Sequence, residues 1–283
     1  YLSEFKDSGV VTHRHYEIFE EQKDMFDYVP PMERAELLQD FNKQPFPRLP
    51  DRDVESGWRY FCRFADWNIY PSFLLRLFLE SGGEIRSQKV TADDMKHLDS
   101  EIIINCSGLS SSELFGESQT EVYLGHTVLI PQHIDLSENG WPVSYNYEPR
   151  EDLYPSAMGI KQDVYSYSRS GELLLGGSRI PGNIIDGRFI SETHAIEMAE
   201  TDAVAVPAPL LKLNTAIFKH YFGIDLDAFP QKIGRSAYRY IRNTQTGLRI
   251  EAEEKGEKLL LHNYGNGGAG VTISWGAALT VFN

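Results

Sequence analysis

The chain has 283 residues, 41% of them hydrophobic, with 27 Lys and Arg against 41 Asp and Glu for a formal net charge of −14. That charge argues against a phosphate backbone, and so nucleic acid, as partner, while the length allows two domains or one large interleaved one. No run approaches the roughly 18 apolar residues of a membrane span, and the opening YLSEFKDSGV is no signal peptide. The two cysteines, Cys62 and Cys106, are too few for a disulfide framework, so a soluble, intracellular protein is expected. The chain begins at Tyr1 rather than Met, which suggests a processed or incomplete chain.

His13-x-His15 with Glu17 would set three potential metal ligands on one strand face, and His126 and His133 could add others, but neither pair has the spacing of a known metal motif; solvated or core histidines account for them. Residues 21–55 are rich in charge and proline (Pro30, Pro31, Pro45, Pro47, Pro50), which predicts short helical pieces and loops rather than a packed sheet. Pro71 stands like a first helical residue, Phe73 to Leu79 is almost continuously apolar and Gly82-Gly83 supplies a stop. A largely buried helix is expected over 72–80. A strand is expected over 84–90, then a short helix to about Leu98 with Thr91 as N-cap and Asp93 and Asp94 in its first turn, where negative charge suits the helix dipole.

Ile102 to Cys106 is an apolar, β-branched run closed by Ser107-Gly108, the pattern of a strand buried on both faces of a parallel sheet. From Glu121 to Ile180 short apolar runs alternate with turn signals, which predicts the antiparallel sheet of a second domain. Residues 191–222 read as two helices separated near Pro207 and Pro209, and Ala237–Ile241 and Lys258–Leu261 as strands returning to the first sheet.

Near the C-terminus, Gly265-x-Gly267-x-x-Gly270 comes after an apolar run and opens a stretch able to form a helix, the context of a dinucleotide fingerprint. A complete mononucleotide-binding unit needs a βαβ of about 30 residues and an acidic residue about 20 further on. Too little chain remains after Gly270 for that, so this loop is not an ordinary first phosphate loop.

Four segments, in order, carry a resemblance: INCSGLSSSEL (104–114), ELLLGGSRIPGN (172–183), SAYRYIRN (236–243) and HNYGNGGAGVTISWGAA (262–278). The chain resembles the D-amino-acid oxidase family of FAD-dependent amino-acid oxidases from about Trp58 onward, with residues 1–57 matching only loosely and without the strand, Gly-x-Gly-x-x-Gly turn and helix that hold the ADP half of FAD. The fold class implied is α/β, an α+β two-domain protein. An incomplete FAD-binding Rossmann-like domain (58–116 and 239–283) interleaves with a mainly antiparallel-sheet substrate domain (117–238, with 1–57 as an attached loop and helix segment).

The function implied is oxidative deamination of a neutral D-amino acid or related amine, with hydride passing to flavin N5 and O2 reduced to H2O2. In that picture Gly267, Gly268, Ala269, Gly270, Val271 and Thr272 lie along the flavin, with Val90 and Ser107 towards the adenine and ribose end. Arg239 grips the substrate carboxylate through two parallel hydrogen bonds, Tyr165 lies over it, and Arg179 stands where family members acting on acidic D-amino acids carry an arginine. Gly125-His126 falls where the family has Gly-Gln. Either a second polypeptide segment supplies the ADP-binding half, or the chain holds FAD poorly and serves as a non-catalytic or split-subunit interaction module. The location implied is cytoplasmic or peroxisomal.

Overall fold

The structure, a computed structural model, describes residues 5–41, 45–116, 120–153, 161–191, 196–242 and 247–282. In chain order it contains β1 (Val10–Phe19), β2 (Glu33–Leu37), β3 (Ser56–Ala65), α1 (Tyr70–Glu80), β4 (Ile102–Asn105), α2 (Ser111–Phe115) and β5 (Thr120–Ile130). Next come β6 (Ser137–Glu138), β7 (Trp141–Glu148), β8 (Val164–Arg169), β9 (Glu172–Gly176), β10 (Ile180–Ile185), β11 (Arg188–Ser191), β12 (Met198–Ala199) and β13 (Val206–Pro207). The last elements are α3 (Ala208–Ile217), β14 (Ile233–Arg242), β15 (Arg249–Lys255), β16 (Lys258–Tyr264) and α4 (Gly270–Phe282). No helix among the described residues is long and apolar enough to cross a membrane. The chain forms two compact units, one of Tyr1–Ile85, His126–Arg179 and His194–Ser236, the other of Arg86–Gly125, Ile180–Thr193 and Ala237–Asn283.

In the first unit the end of β5 pairs with β9, and β9, β8 and β7 continue as antiparallel neighbours. β7 then pairs in parallel with β1, which pairs antiparallel with β3. Because side chains alternate across a strand, β1 serves two cores at once. Tyr16 and Ile18 join Tyr145, Tyr147, Leu173 and Leu175 under α3, which contributes Leu210 and Ile217. Asn214, fully buried on α3, accepts from the Tyr145 hydroxyl at 2.7 Å and donates to the Leu210 carbonyl at 2.9 Å.

The other face of β1 buries His13, His15 and Glu17. Glu17 accepts hydrogen bonds from Trp58 Nε1 and the Tyr28 hydroxyl at 2.6 Å and from the Tyr60 hydroxyl at 2.7 Å. His15 Nδ1 lies 2.9 Å from Ser144 Oγ, and its ring stacks on Tyr167. The three side chains that sequence offered as potential ligands are thus core groups, and among the described residues no cluster suited to a metal ion occurs.

Burial lowers His13 to about 4 and His15 to about 3. Both histidines are therefore neutral in the folded protein, while the unfolded chain takes up protons below pH ~6.5. Stability is fully present above that pH and is lost as pH falls towards the folded values, by about 1.4 kcal/mol per pH unit for each ring. Urea midpoints should fall between pH 7 and 5, and His15→Gln should remove about one proton from the slope. A flat profile over that range would rule this account out.

Several expectations are corrected here. Residues 1–57, read as loops and helical pieces, hold β1 and the edge strand β2; β2 is rich in Glu and Arg because an edge strand tolerates charge on both faces. Residues 84–90 form no strand, since no neighbour among the described residues offers them a ladder, and Ile85 and Val90 stay exposed. The helix expected over 72–80 exists as α1, but it buries only Tyr70 and Phe73 and exposes Leu74, Leu75, Phe78 and Leu79. Only the second of the two helices expected over 191–222 forms; the described residues before it give the short β12–β13 pair, because Pro207 bars α3 from extending further towards the N-terminus. In place of the expected helix capped by Thr91 there is a 3₁₀ turn over Asp94–His97 with Asp93 at its N-cap; Thr91 instead exchanges bonds with Asp94, its N–H donating to Oδ2 at 2.7 Å and Asp94 N donating back to Thr91 Oγ1 at 3.3 Å.

The second unit is built on the sheet β15-β16-β4, with β16 parallel to β4 and antiparallel to β15. β4 has the expected parallel partner but not the expected double burial: Asn105 is buried, whereas Ile102 and Ile104 are each 57% exposed, and β4 is the sheet's edge among the described residues. β14, expected beside these strands, pairs with β5 instead. In the same unit the start of β5 pairs with β10, and β10 with β11.

Candidate active site

The cleft of the second unit, about 380 Å³, lies within the usual size range of a small-molecule pocket. Its lining comes from three chain segments. Cys106, Gly108 and Leu109 come directly after β4; Tyr238, Arg239 and Tyr240 lie on β14; Asn263 to Gly267, Gly270, Ser274 and Ala277 run from β16 into α4. β14 reaches the glycine loop through a bridge between Ile241 and Asn266.

The glycines divide into two kinds. Gly265 and Gly267 have φ of 80° and 54°, and a Cβ at these positions would come within 2.8 Å of Arg242 Cγ and 3.0 Å of Ile241 Cγ1. These serve the turn and the close approach of β14. Gly268 and Gly276 face open space: a Cβ at Gly268 would meet only Arg239 Cδ, at 3.9 Å, and one at Gly276 nothing within 4 Å. Packing in this chain does not require glycine at either position. Ala269, Val271 and Thr272 are exposed where a 3₁₀ turn over Gly267–Ala269, with the Ala269 N–H donating to the Asn266 carbonyl at 3.0 Å, runs into α4.

Arg239 is partly buried, and its guanidinium lies over the backbone of Gly125, where a Cβ would come within 3.1 Å of Nε and Cζ. The sequence-predicted Arg239, Gly267 and Gly270 therefore share one cleft, with Gly268 beside the arginine. Ser107 stands just outside it, with its N–H and Oγ donating to Asn105 Oδ1 at 3.1 and 2.6 Å. Val90 is 37% exposed and does not line the cleft.

Tyr165 and Arg179 belong to the first unit. The Tyr165 ring lies against Gly176, which has no room for a Cβ, while Gly177 has a φ of 137° and a Cβ there would come within 2.6 Å of the Asp163 carbonyl. Arg179 is exposed and pairs with Asp163 at 3.2 Å, while its main chain is held by Gln162 through bonds of 2.7 and 2.9 Å.

Sequence reasoning passed over Cys106, Tyr238, Tyr240, Asn263 and Asn266. It also missed that His262 and Asn105, which belong to two of the four resembling segments, bond to each other beneath the cleft at 3.1 Å. Asn263 Oδ1 and Asn266 Oδ1 are buried polar atoms without a hydrogen-bond partner among the described residues. The orphaned polar atoms of Asn263 and Asn266, in one cleft with Gly267 and Gly270 and beside the open Gly268, fit a planar, hydrogen-bonding group such as a flavin ring.

No family model matches the chain. It is 26% identical over 275 residues to a D-amino-acid oxidase of Dictyostelium discoideum, covering 96% of this chain and 67% of that protein. To a D-amino-acid oxidase of Streptomyces coelicolor it is 26% identical over 213 residues, covering 75% and 55%. The chain thus spans about half to two thirds of the length of these curated relatives. Its fold is similar to that of a glycine oxidase from Geobacillus kaustophilus, with a TM-score of 0.58 and 14% identity over 98% of this chain and 70% of the other. With its α/β architecture, its four segments in family order and these relatives, the chain is similar to the D-amino-acid oxidases in sequence and to glycine oxidase in fold.

Proposed function

We propose that this chain carries the flavin-ring and substrate half of an oxidase that oxidatively deaminates a D-amino acid or related amine. One observation carries the reading: Arg239 and the glycine loop line the same cleft, so a carboxylate clamp and an unobstructed ring face lie together. When bound, FAD supplies the acceptor for the hydride from Cα and passes the electrons to O2, giving H2O2 and an imino acid that hydrolyses.

The chain's residues act by positioning. The Arg239 fork holds both carboxylate oxygens and thereby orients Cα. Gly267, Gly268 and Gly270 keep side chains off the ring, and the start of α4 with the Thr272 hydroxyl offers donors to its electron-rich edge. No side chain of the chain has to accept the α-hydrogen as a proton. The Arg179 guanidinium is already paired with Asp163, which supports a neutral rather than an acidic substrate side chain.

The segment carrying the ADP-binding half docks on β4. Support comes from that strand's edge, unpaired among the described residues, from the exposed Ile102 and Ile104 on one sheet face, and from the exposed stripe Val271, Trp275, Leu279 and Phe282 along α4. Parallel strands are ordinarily covered on both faces. A cytoplasmic or peroxisomal setting agrees with two cysteines that are both free thiols.

The test is a titration of the purified chain with FAD, alone and with an added ADP-binding segment of a relative. A visible flavin band should develop, strengthened by the segment, and H2O2 should form with D-amino acids but not with their L-enantiomers. A colourless protein under both conditions removes the oxidase and leaves an interaction module.

A further inference from the structure

We propose that His262 is a positioning residue: through Asn105 it holds the turn from Asn105 to Gly108 that forms one wall of the cleft. The inference rests on the reading that this cleft takes the flavin ring. In the parallel register His262 stands opposite Asn105, and the imidazole is fully buried. Asn105 Oδ1 is committed to two donors, the Ser107 N–H at 3.1 Å and the Ser107 hydroxyl at 2.6 Å. The same amide can therefore present only its NH2 to the ring, 3.1 Å from His262 Nδ1.

Nδ1 must then accept, which places the ring proton on Nε2, and Nε2 lies 3.1 Å from the Glu253 carboxylate. Every group in the chain Glu253, His262, Asn105, Ser107 has one consistent role. Phe115 and Tyr264 pack edge-on against the imidazole at 4.8 and 5.8 Å and fix its plane. Burial lowers the affinity of His262 for a second proton, which would oppose the Asn105 amide. One ring thus links both walls of the cleft. Asn105 runs into Cys106, Gly108 and Leu109 on one side, and β16 runs from His262 into the glycine loop on the other.

Cys106 is a built-in reporter. It is exposed on the turn; burial raises both thiols, Cys62 up to about 12, so Cys62 should react more slowly with thiol reagents. In the full chain, His262→Phe should raise the rate of Cys106 reaction with 5,5′-dithiobis(2-nitrobenzoate) and weaken FAD binding, each about fivefold, the effect of one lost hydrogen bond. His262→Gln, which can again accept from Asn105, should restore both, a rescue that loss of bulk packing would not give.

If His262→Phe does not fold, Asn105→Ser breaks the same link from the other side and should give the same rise in Cys106 reactivity. Reactivity and FAD affinity both within about twofold of wild type in the folded variants overturn the proposal. If FAD fails to protect Cys106 in the wild type, the flavin reading fails, while the thiol kinetics still decide the positioning role.

Discussion

Replacing Arg239 with alanine is expected to lower kcat/KM for a D-amino acid by about two orders of magnitude, since two charge-assisted hydrogen bonds contribute about 3 kcal/mol or more and each ~1.4 kcal/mol is a factor of ten. KM should rise, because the clamp holds ground and transition state alike, and kcat should fall as well, because without the fork Cα is no longer oriented. Arg239→Lys should recover only part of the loss, since an ammonium keeps the charge but not the bidentate geometry. The side chain lies across Gly125 at the cleft rather than in a core, so the melting temperature should barely move. Steady-state kinetics on the flavin-loaded protein make the measurement; unaltered constants would remove Arg239 from the clamp.

The largest effect on stability is expected in the first unit, at Glu17. Its carboxylate accepts from Trp58, Tyr28 and Tyr60 and is 6% exposed. Glu17→Ala leaves three donors facing an apolar interior, at roughly 1–3 kcal/mol for each one that water cannot reach. With water reaching some of them, a net loss of about 4 kcal/mol and a Tm lower by roughly 10 °C are expected. Glu17→Gln keeps one acceptor oxygen and sets an NH2 against the remaining donor, so it should cost less than alanine. Thermal melts followed by tryptophan fluorescence, for which Trp58 is a local probe, decide the matter. An alanine variant melting within about 2 °C of wild type would mean that the buried carboxylate is not what organises this core.

The two sites differ in how far they were legible in the sequence. The glycine loop and the helix after it were, because Gly265 and Gly267 occupy positive φ, a demand that composition records directly. Arg239 was legible only through its segment, since a lone arginine on a strand carries no signal of its own. The strand status of β2 was hidden because an edge strand shows neither alternation nor an apolar run. Residues 84–90 carried a strand's composition without a strand's neighbour, and pairing is not a local property.

The bond between His262 and Asn105 joins residues 157 positions apart, and nothing in either segment announces the other. The Glu17 cage was equally silent: His13, His15 and Glu17 share a face with metal-like chemistry, and only the strands beside β1 decide that tyrosine and tryptophan hydrogens, rather than an ion, occupy the carboxylate.

The open edge of β4 bears on the colloidal behaviour of the chain. A strand edge left unpaired among the described residues, on a strand with two exposed isoleucines, is a template for joining another copy, and the net charge of −14 opposes that approach over a distance set by the ionic atmosphere. At about 0.1 M salt that atmosphere extends ~10 Å, and at 1 M only ~3 Å. Added salt therefore strips away the repulsion that keeps like edges apart, and dilute buffer is the kinder solvent for this chain.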